Sequence, residues 1–385
     1  LPMGSYYVQE ISTNSAYIVS DAKYPVTFEY AGQDTETVRI TANEGEAITN
    51  DIIYGSVSGK KSDEDGKALG SAVIGIFKTG TTEFTKENAI AATTSKDDGS
   101  FSFVKVPYGT WIIREIESPK GYVLSEEEIA VTIGKVDEVV EIELVNYFIK
   151  GNIALTKVDE DYPDNKLSGA VFEVYSDTNG DGKLDKDDTL LGEMKELDGG
   201  VYQMSELRYG KYLVKETKAP TGFVLDENVY SVSVEENGKT YTVENKAGVG
   251  FINAAQKGSL KIVKTSSDGK VEGFSFRVTG VDYDQTFKTD KNGEIVIEGL
   301  RIGDYTVSEV SDKASAGYIL PADKQVTVKV NATAIVQMHN EFRDTPKTGD
   351  DFNLGLWVSL AALSVVGAGV LGFVGYKNRK KKKED

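Results

Sequence analysis

Lys61, Lys157 and Lys264, Glu115, Glu216 and Glu309, and Asn146, Asn253 and Asn340 recur in an order and spacing that would let each set of three make one covalent bond. Side chains in a strand alternate between its faces, so residues two apart share a face. By that parity Ile153, Leu155 and Lys157 lie together, as do Leu260, Ile262 and Lys264, and Val57, Gly59 and Lys61. Tyr212 and Val214 share a face with Glu216, Tyr305 and Val307 with Glu309, and Trp111 and Ile113 with Glu115. Leu144, Phe251 and Met338 do the same for Asn146, Asn253 and Asn340. Each set therefore turns an amine, a carboxyl and an amide toward an apolar core, where an uncompensated charge costs several kcal/mol.

Brought together, the three groups have a reaction available. Burial lowers the pKa of a lysine and raises that of a glutamate, so the pair can pass to neutral amine and neutral acid. The amine can then attack the asparagine side-chain carbonyl while the acid polarises its oxygen and shuttles protons, expelling ammonia. Packing supplies the approach geometry. Two alternatives stay open at this level: Lys60 competes with Lys61, and Asn245 competes with Asn253 as acceptor. Tyr6, Val8, Glu10 and Ile48, Asn50 repeat the acid and amide without a lysine, so no bond is expected there.

The elements that must position these groups are visible as an internal repeat. GSVSGKK, GNIALTK and GSLKIVK open three segments at Gly55, Gly151 and Gly258. A later element recurs as PYGTWIIREIESPKGYVL, RYGKYLVKETKAPTGFVL and RIGDYTVSEVSDKASAGYIL, and already from Pro2 as PMGSYYVQEISTNSAYIV. Residues 1–53 therefore read as the second half of a module, and 54–149, 150–256 and 257–343 as complete ones. Each complete module holds about seven short runs of period-two apolarity between glycine-bearing turns. That pattern predicts an all-β chain of tandem two-sheet sandwiches built from short antiparallel strands, with few helices before Asn353.

Composition narrows the chemistry further. Cysteine is absent, which removes disulfides, thiolate metal sites and thiol catalysis. The single histidine, His339, leaves no room for a multi-histidine zinc site and reads as structural. Net charge is -18, and -22 without the basic KNRKKKKED run, which argues against nucleic acid as a partner. The chain begins at Leu1 without an initiator Met or signal peptide, which reads as an excerpt of something longer.

The K of GNIALTKVD and GSLKIVKTSSDG, the E of YLVKETKAPTGF and YTVSEVSDKASAGY, and the N that closes each module resemble the Cna B-type, or SpaA-like, repeats of Gram-positive adhesins and pilins. The resemblance covers nearly everything from Leu1 to Asp344, departing in the third module where KASAGY replaces AP-x-GY. It implies prealbumin-like, immunoglobulin-like sandwiches with spontaneous Lys-Asn isopeptide bonds catalysed by the buried glutamate, and no cofactor for that catalysis. Such modules would form a stalk that holds a binding domain away from the cell. No pilin-polymerising lysine motif is visible.

Two further motifs stand apart. In SDTNGDGKLDKDD, Asp177, Asn179, Asp181, Lys183, Asp185 and Asp188 fall at positions 1, 3, 5, 7, 9 and 12 of a calcium loop, with Gly182 at 6. Structural Ca2+ in module two is the expectation, although position 12 is Asp instead of Glu and the flanks are strands. Near the other end, DTPKTGDD resembles the LPxTG sorting signal, with Thr345, Pro346, Lys347, Thr348 and Gly349 as its pentapeptide and Thr345 in place of Leu. Leu354 to Tyr376 follows as 23 uncharged residues, enough for one transmembrane helix, and then the basic run that would stay cytoplasmic. The resemblance implies transient membrane insertion, cleavage by sortase between Thr348 and Gly349, and transfer of Thr348 to a peptidoglycan cross-bridge amine. The expected product is extracellular and covalently attached to the cell wall, with 344–385 as its sorting segment.

The function expected is that of a covalently braced, wall-anchored stalk, each glutamate acting once on its own chain and not as an enzyme with turnover. Other readings are a pilus subunit, the anchoring stalk of an extracellular enzyme whose head lies upstream, and repeats that bind matrix or host ligand. Tyr283 and Phe287 are the aromatic candidates for the last.

Overall fold

Alternating apolar runs form strands throughout residues 1–35 and 37–343, which are the residues the computed structural model describes. The only helical turn among them is a 3-10 turn at Asn43–Gly45. The chain divides into two units, Leu1–Ala255 and Gln256–Asp385.

In the first unit, one sandwich places Tyr54–Asp63 at the centre of a three-stranded sheet, between Ser100–Pro107 and Val139–Asn146. Its facing sheet runs Ala91–Thr94, Val73–Lys78, Gly109–Glu117, Ile129–Ile133. Val57, Ile74, Phe101, Ile113 and Leu144 fill the space between them. The next sandwich repeats the plan around Lys150–Asp159, flanked by Val201–Arg208, Thr240–Thr242 and Phe251–Asn253. Thr189–Glu193, Val171–Ser176, Gly210–Lys218 and Val229–Val234 cover it. In the second unit Lys257–Ser266 lies between Glu294–Arg301 and Thr333–Phe342, opposite a sheet containing Ser275–Gly280 and Gly303–Val310.

The expectation of antiparallel strands holds for most neighbours but not for the first and last strand of each sandwich. Tyr54–Asp63 pairs parallel with Val139–Asn146, Lys150–Asp159 with Phe251–Asn253, and Lys257–Ser266 with Thr333–Phe342. A parallel pair needs a long connection, and the intervening strands of the whole sandwich supply it. The chain thus leaves each sandwich running in the direction in which it entered.

The repeated opening glycine answers a close approach. A Cβ on Gly55, Gly151 or Gly258 would stand 2.6, 2.8 or 2.2 Å from the backbone oxygen of Glu138, Lys239 or Lys329. Each of these glycines also sits at a register shift against its antiparallel neighbour, the usual signature of a bulge. Gly258→Ala, with the tightest contact, is expected to lose about 1–3 kcal/mol by overpacking, read as a lower melting temperature of the sandwich from Gln256 onward.

Residues 1–53 contribute a hairpin, Gly4–Gln9 with Lys23–Phe28, in which Tyr6 faces Val26. Its Tyr6 hydroxyl donates to the Pro2 carbonyl at 2.8 Å. The same four-residue reach is made by Trp111 to Pro107 and by Tyr305 to Arg301, both at 2.8 Å, and by Tyr212 to Arg208. Within the first unit the two sandwiches are joined by the Tyr209 N–H donating to the Ile149 carbonyl, by Lys150–Glu64 and Arg208–Asp65 ion pairs at 2.9 Å, and by the Arg208 guanidinium 3.8 Å over the Phe148 ring.

Candidate functional site: a lysine, a glutamate and an asparagine in each sandwich

Lys61, Lys157 and Lys264 are at most 1% exposed, and Asn146, Asn253 and Asn340 at most 3%. Glu115 and Glu216 are equally buried, with Glu309 at 9%. The parallel register explains how lysine and asparagine meet. Lys61 is opposite Leu144, Lys157 opposite Phe251 and Lys264 opposite Met338, in each case two residues before the asparagine and on its face. A strand side chain leans along the strand, so each lysine reaches toward the amide beyond its direct partner. The glutamate comes from the other sheet, where Glu115, Glu216 and Glu309 pair with Ile74, Phe172 and Phe276.

In module two the Lys157 ammonium donates to Asn253 Oδ1 and, at 3.0 Å, to the Phe251 carbonyl. The Asn253 amide donates to Glu216 Oε1 and Oε2 at 3.1 and 2.9 Å, and Lys157 Nζ stands 3.8 Å from Glu216 Oε1. In module one the Asn146 amide donates to Glu115 Oε2 at 2.7 Å, with Lys61 Nζ 3.7 Å from Glu115 Oε1. Lys61 Nζ, Glu115 Oε1 and Asn146 Oδ1 have no hydrogen-bond partner. In module three Asn340 donates to Glu309 Oε1 at 2.6 Å, and Lys264 Nζ donates to the Thr265 carbonyl at 2.6 Å while lying 4.3 Å over the Phe274 ring.

Burial sets the protonation tendencies. It pushes all three lysines below their ordinary value, Lys157 to about 8, against the pull of the nearby glutamates. It pushes Glu216 and Glu309 up, opposed by their hydrogen bonds and by the lysines. Both directions favour the uncharged pair, in which the amine has a free lone pair and the acid a proton to give.

The two open alternatives resolve by position. Lys60 is exposed while Lys61 is buried. The gap that Gly59 leaves on the apolar face is occupied by the Phe101 ring, which would lie 2.0 Å from a Cβ there. Asn245 is half-buried, and its side chain binds backbone: Oδ1 accepts from the Ile252 N–H at 2.6 Å and Nδ2 donates to the Ile252 carbonyl at 2.9 Å. It thus braces the three-residue strand that carries Asn253. Asn245 also donates to Asp226 at 2.9 Å.

Sequence reasoning did not reach the groups that aim the glutamate. Glu115 Oε2 accepts from the Ser125 N–H and Glu216 Oε2 from the Asp226 N–H, each at 2.8 Å and each ten residues on. The equal spacing after Glu115, Glu216 and Glu10, with Tyr122, Phe223 and Tyr17 each seven residues on, was the available signal; the loop after Glu309 is two residues longer. Glu10 keeps the same device, accepting from the Ser20 N–H at 2.8 Å and from the Asn50 amide at 2.5 Å.

The remaining candidates fall elsewhere. Asp177 is buried, and Asn179, Asp181, Lys183 and Asp185 are exposed, with Asp188 half-buried. Among the described residues no three carboxylates or imidazoles already converge on a metal position. His339 has Thr265 Oγ1 at 2.8 Å and Glu341 at 3.1 Å. Tyr283 and Phe287 pack against the third core, Tyr283 edge-on to Tyr305. Thr345, Pro346, Lys347, Thr348, Gly349 and the 354–376 span lie outside the described residues; within those described, no helix is long and apolar enough to cross a membrane.

Fold and site together define tandem prealbumin-like sandwiches with a buried polar triad in each. The SpaA family, described as a prealbumin-like fold domain, matches residues 55–147, 151–247 and 258–342, more than half of the chain, and the chain belongs to that family. Among solved structures, the Bacillus anthracis TIE protein is similar at 24% identity and a TM-score of 0.59, over 84% of this chain and 58% of that one. The chain therefore spans little more than half of that relative, and the likeness is one of fold. BcpA, the major pilin subunit of Bacillus cereus, aligns at 16% identity and a TM-score of 0.34 over 75% of this chain and 99% of its own, a likeness too slight to argue from. No curated protein matches the chain.

Proposed function

We propose that the chain is a load-bearing stalk of a Gram-positive surface protein, each complete sandwich closed by an isopeptide bond between its first and last strands. The observation that carries this reading is the threefold recurrence of a buried lysine two register positions from a buried asparagine, with a buried glutamate bonded to the amide. In the reaction, neutral Lys Nζ attacks Asn Cγ and a C–N bond forms. The glutamic acid, which stands against the amide nitrogen, relays a proton from the amine to the departing Nδ2, which leaves as ammonia. Each glutamate acts once on its own chain. TPKTG, followed by 23 uncharged residues and a basic run, supports covalent attachment to peptidoglycan by sortase.

The described region is expected to weigh three ammonia masses less than its sequence by intact mass spectrometry. Glu216→Gln should restore one of them, located by proteolysis as separate rather than branched peptides around Lys157 and Asn253. A parent chain at full sequence mass would refute the bond.

A further inference from the structure

Asp177 carries a problem that the isopeptide reading leaves untouched. Its side chain is 6% exposed, and its Oδ1 is buried with no hydrogen-bond partner. An unsatisfied buried carboxylate oxygen is costly, and structures retain one where an unseen partner belongs. The other oxygen, Oδ2, accepts from the Gly182 N–H at 3.1 Å, so the carboxylate faces into the loop it begins. That loop is the twelve-residue segment 177–188 between strands Val171–Ser176 and Thr189–Glu193. It turns at Gly182 with φ of 75°.

We propose that segment 177–188 is a binding site for calcium, a hard divalent cation that takes oxygen ligands at this spacing. Asp177 Oδ1 is the first ligand, and Asn179, Asp181, the Lys183 carbonyl and Asp188 complete the set. The outer oxygens are engaged on the loop's own amides: Asn179 Oδ1 accepts from Asp181, Asp181 Oδ1 from Lys183, and Asp188 Oδ2 from Asp185. These are exposed bonds that a cation can displace at small net cost. Binding therefore closes the loop around the ion. The Lys211 ammonium, which donates to the Gly180 carbonyl at 3.0 Å, is the competing cation beside the site. Asp at the twelfth position shortens the closing ligand. The affinity expected is that of extracellular modules, a Kd of about 10⁻⁴–10⁻³ M.

The test uses the full chain, stripped with chelator. Calcium chloride titrated by calorimetry should show one site of that affinity, and calcium should slow tryptic cleavage after Lys183 and Lys186 at least tenfold. Asp177→Asn should abolish both effects, while Glu193→Gln, outside the loop, should leave both intact. No saturable heat and unchanged cleavage would overturn the site. So would saturable heat that survives Asp177→Asn, because the ion would then sit elsewhere on the acidic surface. Intact mass, which reads the isopeptide bond, should not respond to calcium, so this proposal fails independently of that one.

Discussion

Lys157→Met is expected to lower the melting temperature of module two by roughly 20–35 °C in calorimetry, leaving the other sandwiches unchanged. A bond between residues 96 apart closes nearly the whole module, and cross-linking a loop of about 100 residues removes about 4.7 kcal/mol of unfolded-state entropy in the chain-entropy description. For a domain of this size, each kcal/mol moves the midpoint by about 4–8 °C. The choice of methionine makes the experiment discriminating. Removing one member of a buried ion pair is costly in itself, but methionine keeps the apolar stem, and burial already pushes Glu216 toward its neutral form, which limits the charge left unpaired. In the variant, Glu216 still has the Asn253 amide and the Asp226 N–H as partners. A variant that melts with the parent would sink the cross-link, and an equal loss in Glu216→Gln, which keeps Lys157 in place, assigns the loss to the missing bond and not to the missing lysine. Glu216→Gln should fall by a similar amount although it keeps both bonding partners, because the proton relay is gone.

The parts of this site that depend on parity were legible in the sequence, since a strand has a period of two and a polar residue on an apolar face stands out against it. Glu216 between Tyr212, Val214 and the core needed nothing more. The parts that depend on pairing were not legible. Nothing in GNIALTK or GFINAA reveals that these strands run parallel, yet the two-residue offset between Lys157 and Asn253 is a product of that register. Local exceptions were equally hidden. Gly59 looks like a weak point until the Phe101 ring from the neighbouring strand is seen to fill it. Asn245 looks like an acceptor because its side chain lies two residues from the buried Val243, just as Asn253 lies two from Phe251. The family match for module two ends at residue 247, between the two asparagines, whereas the five-residue spacing to the opening Gly258 favours Asn253. The hydrogen bonds of Asn245 to Ile252 make it a brace, while Asn253 is the one that meets Lys157 and Glu216. The calcium expectation divides in the same way. Spacing proposed the ligands, but which oxygen lacks a partner is a property of packing.

The rate of bond formation should depend on pH as a plateau with two edges. Chain produced and held in urea, then diluted into native buffer, would form the bond as it folds, and the loss of ammonia can be followed by mass. The reactive pair carries one proton, resting on the glutamate with the amine neutral, and that state is a tautomer of the ion pair. Across the plateau the proton count is constant, so the rate should be flat. Above the value of about 8 to which burial lowers Lys157, the pair loses its one remaining proton. The amine is then free, but Glu216 has no proton to give, and the rate should fall about tenfold per pH unit. On the acid side the pair takes up a second proton, Lys157 stays charged, and the rate falls again. Because burial raises Glu216, that edge lies above the ordinary glutamate value of 4.5. A rate that instead climbed steadily from pH 8 to 10 would mean that lysine deprotonation alone limits the reaction, leaving Glu216 no role as an acid.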